Sequence, residues 1–256
     1  MKNSFYSKFK IQRTEDFFYT KEYNYKKIKD SHLHLITCLK KDLKKIKAGE
    51  LKGKIVDFGS GNGELINYLN IHFPQTTLIG VDASKELIKV AKKYVKKKNK
   101  NINFLKGSVL NKNFFKKQTN DISFSCGLLP IFDEFQTPIN NIINWSKKKG
   151  KIYIGSLFSD FPYDVFVKYR HSKNFKKNTV ESGWNIFSKK SISSFLKSHK
   201  KVKTFKFDDF NFKRNVKKNK NDYVRSWTFK DSKGKYFTTN GLNLILPASM
   251  LKIYLK

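Results

Sequence analysis

Between Lys54 and Leu69 the chain reads KIVDFGSGNGELINYL, and its hydrophobic pattern changes period partway through. An apolar run ends on an acid, and three glycines follow at alternate positions, Gly59, Gly61 and Gly63. An amphipathic pattern then begins. This predicts a strand, a tight loop and a helix, GELINYLNIHF, stopped by Pro74. The alternation continues downstream. TTLIGVD reads as a second strand. SKELIKVAKKYVKKK reads as a helix with Ser84 as N-cap and lysines at its C-terminal end, where the dipole favours them. NINFLKG and DISFSCG are a third and a fourth strand. TPINNIINWSKKKG is a helix with Pro138 near its start, and KIYIGSLF is a fifth strand. Upstream, Ile28, Leu33, Leu35, Ile36, Leu39, Leu43 and Ile46 recur at helical spacing. They predict an amphipathic helix from about Tyr25 to Ile46, ending near Gly49. Strands alternating with helices predict an α/β fold with a doubly wound parallel sheet.

After Phe158 the rhythm breaks. Residues 159–187 have no strong period and hold Pro162, Arg170, His171 and Trp184. A helix returns in SKKSISSFLKSHK, capped by Ser188. VKTFKFDDF and YVRSWTFK read as strands, and KDSKGK as a hairpin turn leading into YFTTN. The closing stretch LPASMLKIYLK is expected to be a short helix. The Lys/Asn run at 213–222 reads as a solvated loop.

The chain of 256 residues suits one domain with decoration. Its 54 Lys+Arg against 20 Asp+Glu give a formal net charge of +34, natural for nucleic acid, anionic lipid or an acidic substrate. The cations are nearly all lysine, however; the arginines are Arg13, Arg170, Arg214 and Arg225. Abundant Lys, Asn, Ile and Phe fit an AT-rich genome, and a dedicated nucleic-acid surface favours arginine forks. Nucleic acid therefore stays a possible partner but is not the favoured one. Cys38 and Cys126 lie far apart without CxxC spacing, which argues against a zinc site or a disulfide framework and for a reducing cytoplasm. The first ten residues lack an apolar signal core, and the run LNLILP is too short to span a bilayer.

The loop itself narrows the ligand. A dinucleotide motif wants a third glycine five positions after the first, and here that position is Glu64. A phosphate-binding GxxxxGK[ST] loop is absent. Acids are scarce in this chain, yet Asp57, Glu64, Asp82 and Glu86 gather around one predicted site. Phosphates would be repelled there, and a cationic ligand would be welcome.

The pattern D-x-G-x-G-x-G, Asp57 to Gly63, resembles motif I of the class I S-adenosylmethionine-dependent methyltransferases. The resemblance implies a Rossmann-like sheet of about seven strands, mostly parallel with an antiparallel C-terminal strand, plus an N-terminal helical cap. It implies S-adenosylmethionine as cofactor, held by Asp57, Gly59, Gly61 and Gly63, by Asp82 with Ala83 at the next strand end, and by Ser108 and Val109 after the third strand. Asp82 would hold both ribose hydroxyls. Family members often place an acid after the third strand; here Gly107, Ser108 and Val109 occupy that turn. DISFSCGLLPIFDEF resembles the motif IV region, with Cys126 near the methyl group. Cys126 follows Ser125 rather than a proline, and no second motif supports a nucleophile. The [DNS]-P-P-[YFW] turn of amino-methyltransferases is absent, and so is the strand-end acid of metal-dependent and ribose-directed enzymes; no metal is expected.

The generic CGLLPIF resembles small-molecule methyltransferases. A single domain over 1–256 is expected, with a helical cap at 1–50, a cofactor half at 51–158, an acceptor-binding insertion at 159–187 and a C-terminal sheet half at 188–256. His171 is the leading candidate general base, with Tyr163 and His32 behind it. Arg170 and Arg225 are candidates to fork an acceptor carboxylate or phosphate, or to serve the fold. Trp184 and Trp227 read as packing residues. The reaction expected is methyl transfer to O or N of a small molecule, such as a glycan or lipid precursor, in the cytoplasm. An RNA methyltransferase and a non-catalytic module keeping the same fold are the alternatives.

Overall fold

The computed structural model describes residues 30–43, 53–95, 101–170, 176, 180–209, 212–213, 215–217, 226–239, 245–246 and 248–256. Within them, the N-terminal helical spacing becomes α1, Asp30–Asp42, with Leu43 already in a turn; the rest of that expected helix lies outside the described residues. Strand β1, Lys54–Phe58, leads into α2, Glu64–His72, which ends just before Pro74. β2 is Thr77–Asp82 and α3 is Lys85–Tyr94. Ser84 caps α3, its hydroxyl accepting the Leu87 N–H at 3.3 Å. β3, Ile102–Lys106, and β4, Asn120–Cys126, follow. A 3₁₀ turn at Leu129–Ile131 precedes α4, Gln136–Trp145, and β5, Ser146–Ser159. Short strands β6, Lys168–Tyr169, and β7, Glu181–Ser182, pair antiparallel in the segment without period. β8, Phe187–Ser188, continues alongside β5 and opens α5, Lys189–Ser198, capped by Ser188. The chain then forms β9, Val202–Asp209; β10, Trp227–Lys230; β11, Tyr236–Thr239; β12, Ile245–Leu246; and β13, Ala248–Leu255.

The main sheet runs β3-β2-β1-β4-β5-β13-β9, with β8 beside β5. β1 through β5 are mutually parallel, and β13 is antiparallel to both β5 and β9. The order reverses at β1: its successor β2 lies on one side and β4 on the other. A crevice therefore opens beyond the C-terminal ends of β1 and β4, where such sheets bind ligands. One face packs Val56, Phe58, Val81, Ile154 and Leu251 with residues of α4 and α5 such as Ile139, Trp145 and Ile192. The other packs Ile55, Leu78, Phe124, Tyr153 and Met250 with residues of α1, α2 and α3 such as Leu35, Leu69 and Ala91. Each large apolar side chain so buried contributes about 1.5–3 kcal/mol.

Two expectations need correction. LPASMLKIYLK is not a helix; its residues 248–255 are the antiparallel strand of the main sheet. That strand is covered on both faces, with Met250, Leu251, Lys252 and Ile253 all buried, so it shows no alternation to read. The helix expected over TPINNIINWSKKKG ends at Trp145, and SKKKG starts β5, which absorbs the mismatch with a register shift against β4. The hairpin at KDSKGK is as expected, but β10, β11 and β12 form a separate small sheet.

α1 is fastened to the sheet by polar groups. The Asp42 carboxylate accepts hydrogen bonds from the Tyr153 and Tyr254 hydroxyls, each at 2.8 Å. The buried Lys252 ammonium lies 3.7 Å from Asp42 and 2.8 Å from Asp208. Burial, then the Asp42 carboxylate, pushes the Tyr153 and Tyr254 hydroxyls well above the usual phenol range. Burial works to raise Asp208, but the hydrogen bond and charge of Lys252 win, and its carboxyl sits below the ordinary range. Asp208 therefore adds stability above its unfolded-state range, and this is lost as pH falls through the depressed folded value. Asp42→Ala orphans two phenols, and we expect a loss of about 3 kcal/mol in urea unfolding. Tyr254→Phe, which removes one bond and its polar group together, should cost less.

Candidate active site

The glycine loop folds back on the end of β2. The N–H groups of Gly59 and Ser60 both donate to the Val81 carbonyl, at 2.8 and 2.9 Å, and Gly63 N–H donates to Ser60 O at 2.9 Å. Two glycines show the two reasons for such residues. Gly63 has φ 84°, and a Cβ there would meet Phe104 at 2.9 Å and Ala91 at 3.0 Å, so the backbone is pressed against α3 and β3. Gly61 has φ 54°, yet a Cβ there would meet nothing within 4 Å. Gly127, at the end of β4, has the same open space beside it. Space is left clear at the crevice between these strand ends.

Two carboxylates face this loop. Asp57 is 3% exposed on β1. Asp82 ends β2, its Oδ2 accepting Gly61 N–H at 2.9 Å and its Oδ1 accepting Ser84 N–H at 2.8 Å. Burial, reinforced by the charge of Asp82, pushes the Asp57 carboxyl well above the usual range. Burial raises Asp82 too, against the opposing N–H bonds from Ser84, Gly61 and Ala83. Among the described residues no cation pairs with either. The hydroxyls of Ser60 and Ser125 are also buried, and neither finds a hydrogen-bond partner among the described residues. Two acids at neighbouring strand ends without a described counter-charge suit a cationic, hydrogen-bonding ligand.

The parallel order β3-β2-β1-β4 brings the expected cofactor residues to one edge: Asp57 to Gly63 after β1, Asp82 and Ala83 after β2, Ser108 and Val109 after β3, and Cys126 at the end of β4. Ser108 Oγ accepts the Leu110 N–H at 3.2 Å and shapes that turn. The Val109 side chain is buried in the core, and its carbonyl accepts from Asn141 Nδ2 at 2.7 Å. Cys126 is half-buried, its sulfur filling the space beside Gly155. Tyr163 is 70% exposed beyond β5, and Arg170 is exposed just after β6. His171 and Arg225 lie outside the described residues. Pattern reading passed over Asn185. This buried side chain donates to Phe132 O at 2.6 Å and to Asp133 at 3.0 Å, and accepts Val167 N–H at 2.7 Å. It stitches the segment after β5 to the loop after β4. Beside it Trp184 holds φ 62°, an uncommon conformation for so bulky a residue. Asn185 is revealed by contacts 18 to 53 residues away in sequence, and a lone Asn carries no local signal for them.

The fold and this strand-end site define a methyltransferase. A methyltransferase-domain family model matches residues 50–206, over half of the chain. The chain belongs to that family, within the class I S-adenosylmethionine-dependent methyltransferases. Protein 235L of Invertebrate iridescent virus 6, named as a methyltransferase, is 32% identical over 100 residues, 39% of this chain and 36% of that protein. The malonyl-[acyl-carrier protein] O-methyltransferase of Halalkalibacterium halodurans is 28% identical over 120 residues, 46% of this chain and 42% of that one. The chain thus matches only about two fifths of the length of either curated relative. The crystal structure of YcgJ from Bacillus subtilis has the same fold, with TM-score 0.58 at 14% identity, over 88% of this chain and 99% of that one.

S-adenosylmethionine fits the residues present: a buried and a half-buried carboxylate with no counter-charge among the described residues, and the open space at Gly61. Filling that space should exclude it. Gly61→Val is expected to lower affinity at least about tenfold by calorimetry, while the positive φ costs only about 1–2 kcal/mol of stability. Because both carboxyls are raised, a bound cation favours their ionised forms and releases protons wherever the unliganded carboxyls are partly protonated. Affinity should fall as pH drops through that range, and titration in buffers of different ionisation enthalpy will show the release.

Proposed function

We propose that this chain transfers the methyl group of S-adenosylmethionine to an oxygen or nitrogen of a small-molecule acceptor, with glycan and lipid precursors the first classes to test. The observation that carries the reading is the pair of Asp57, buried, and Asp82, half-buried, without a described counter-charge beside a loop whose backbone leaves open space. When bound, S-adenosylmethionine supplies a methyl carbon already activated by its sulfonium, so much of the catalysis is alignment. Asp57 would take the ammonium of the amino-acid end. Asp82, at the end of β2 with its carboxylate already turned to the loop by Gly61 and Ser84, would accept the ribose hydroxyls. Gly59, Gly61 and Gly63 would let the backbone approach, with Ala83, Ser108, Val109 and Cys126 completing the rim.

On the acceptor side, residues 159–187 would form the wall, held against the loop after β4 by Asn185. His171 and Tyr163 are the candidate bases, and Arg170 and Arg225 the candidate forks for an anionic group on the acceptor. Chain segments 1–50, 51–158, 159–187 and 188–256 would act as one domain.

A different observation supports a second reading. Phe161, Tyr163 and Phe166 are 69%, 70% and 52% exposed on this same segment, in a chain of net charge +34. Aromatics among lysines suit stacking on single-stranded RNA.

Two measurements decide. Asp82→Ala should weaken S-adenosylmethionine binding about 100-fold, the loss of two hydrogen bonds to a charged acceptor; unchanged affinity would sink the cofactor assignment. Tritiated methyl supplied to cell extract should then appear in the small-molecule fraction. Label confined to RNA, with binding that falls steeply as salt rises, selects the second reading.

A further inference from the structure

The acids around the glycine loop answer only part of the cofactor's charge. S-adenosylmethionine carries a sulfonium and an ammonium, but also a carboxylate, which a site lined by Asp57, Asp82 and Glu64 would repel. Something at that end must offset it. Burial and Asp82 act on Asp57, and burial with backbone N–H groups on Asp82, with no lysine or arginine among the causes. The described fold brings an imidazole there instead.

His32 lies in the first turn of α1, its Nδ1 3.7 Å from Oε1 of Glu64. Glu64 opens α2 and directly follows Gly63. The two side chains are only 14% and 12% exposed, so solvent and salt screen them little. When protonated, the ring pairs with this carboxylate and donates from both nitrogens. α1 is pinned at its other end by Asp42, Tyr153 and Tyr254, so His32 sits on a fixed element rather than a loop.

We propose that His32, oriented by Glu64, binds the carboxylate of S-adenosylmethionine through a charge-assisted hydrogen bond. This rests on the cofactor reading above. It gives His32 a part in cofactor binding rather than that of the general base expected from sequence, and makes Glu64 a positioning residue. No bond is made or broken by the pair.

The test compares S-adenosylmethionine with decarboxylated S-adenosylmethionine, which keeps the sulfonium and the amine and lacks only the carboxylate. Calorimetry on the full chain and on His32→Asn should show S-adenosylmethionine weakened about tenfold and the decarboxylated ligand changed less than about twofold. Glu64→Gln should show a smaller loss with the same selectivity. His32→Lys, which keeps a cation, should retain the wild-type preference and serves where His32→Asn fails to fold. An equal loss for both ligands, no loss for either, or a preference lost in His32→Lys overturns the proposal. If the wild-type chain binds neither ligand, the cofactor reading falls first and this inference falls with it. If it binds S-adenosylmethionine without carboxylate selectivity, only this inference falls.

Discussion

At the end of β2, a single carboxylate and a single carbonyl gather the site. Val81 O takes the N–H groups of Gly59 and Ser60, and Asp82 takes those of Gly61 and Ser84. Backbone donors at a strand end shielded from water must find acceptors, and here two neighbouring residues supply four. The loop is thereby folded over the β1–β4 crevice with its glycines in left-handed conformations. The arrangement also leaves Asp57 buried beside a second acid. The fold holds the two acids together, and a cationic ligand would relieve the conflict between their charges.

Helix α1 links two ends of the molecule. Its C-terminal Asp42 joins Tyr153, Tyr254 and Lys252 on the sheet, and its N-terminal turn sets His32 against Glu64 at the glycine loop. Ten residues of helix separate these contacts, a span of about 15 Å. The buried Lys252 is tolerated because Asp208 and Asp42 both face it; a lone ammonium so enclosed would be strongly destabilising. The acceptor side is held differently. One buried Asn185 side chain ties three backbone and side-chain groups together, and the strained Trp184 sits next to it. Strain of this kind persists only where surrounding bonds enforce it.

Much of the cofactor half was legible along the chain. The switch from strand to helix at Asp57–Glu64, the caps Ser84 and Ser188, and five parallel strands depend on local period and local hydrogen bonds, and neighbouring residues encode both. The acids Asp57 and Asp82 were legible as well, because a glycine loop between them places both at strand ends. Other features were hidden. Strand β13 carries no alternation because the sheet buries it on both faces. The open space at Gly127 and the orphaned Ser60 and Ser125 hydroxyls depend on what fails to pack beside them, which no local pattern records.

The amino-acid sequence by itself determined a strand–glycine loop–helix with an acid before it and an acid after the next strand, because these are contiguous and their periods are local. Tertiary structure alone decided that the last segment is a strand, that Asn185 joins two distant loops, and that His32 faces Glu64 across helices from separate parts of the chain. Such pairings are set by the order of strands in the sheet and by which helix covers which face, and these are properties of the packed whole.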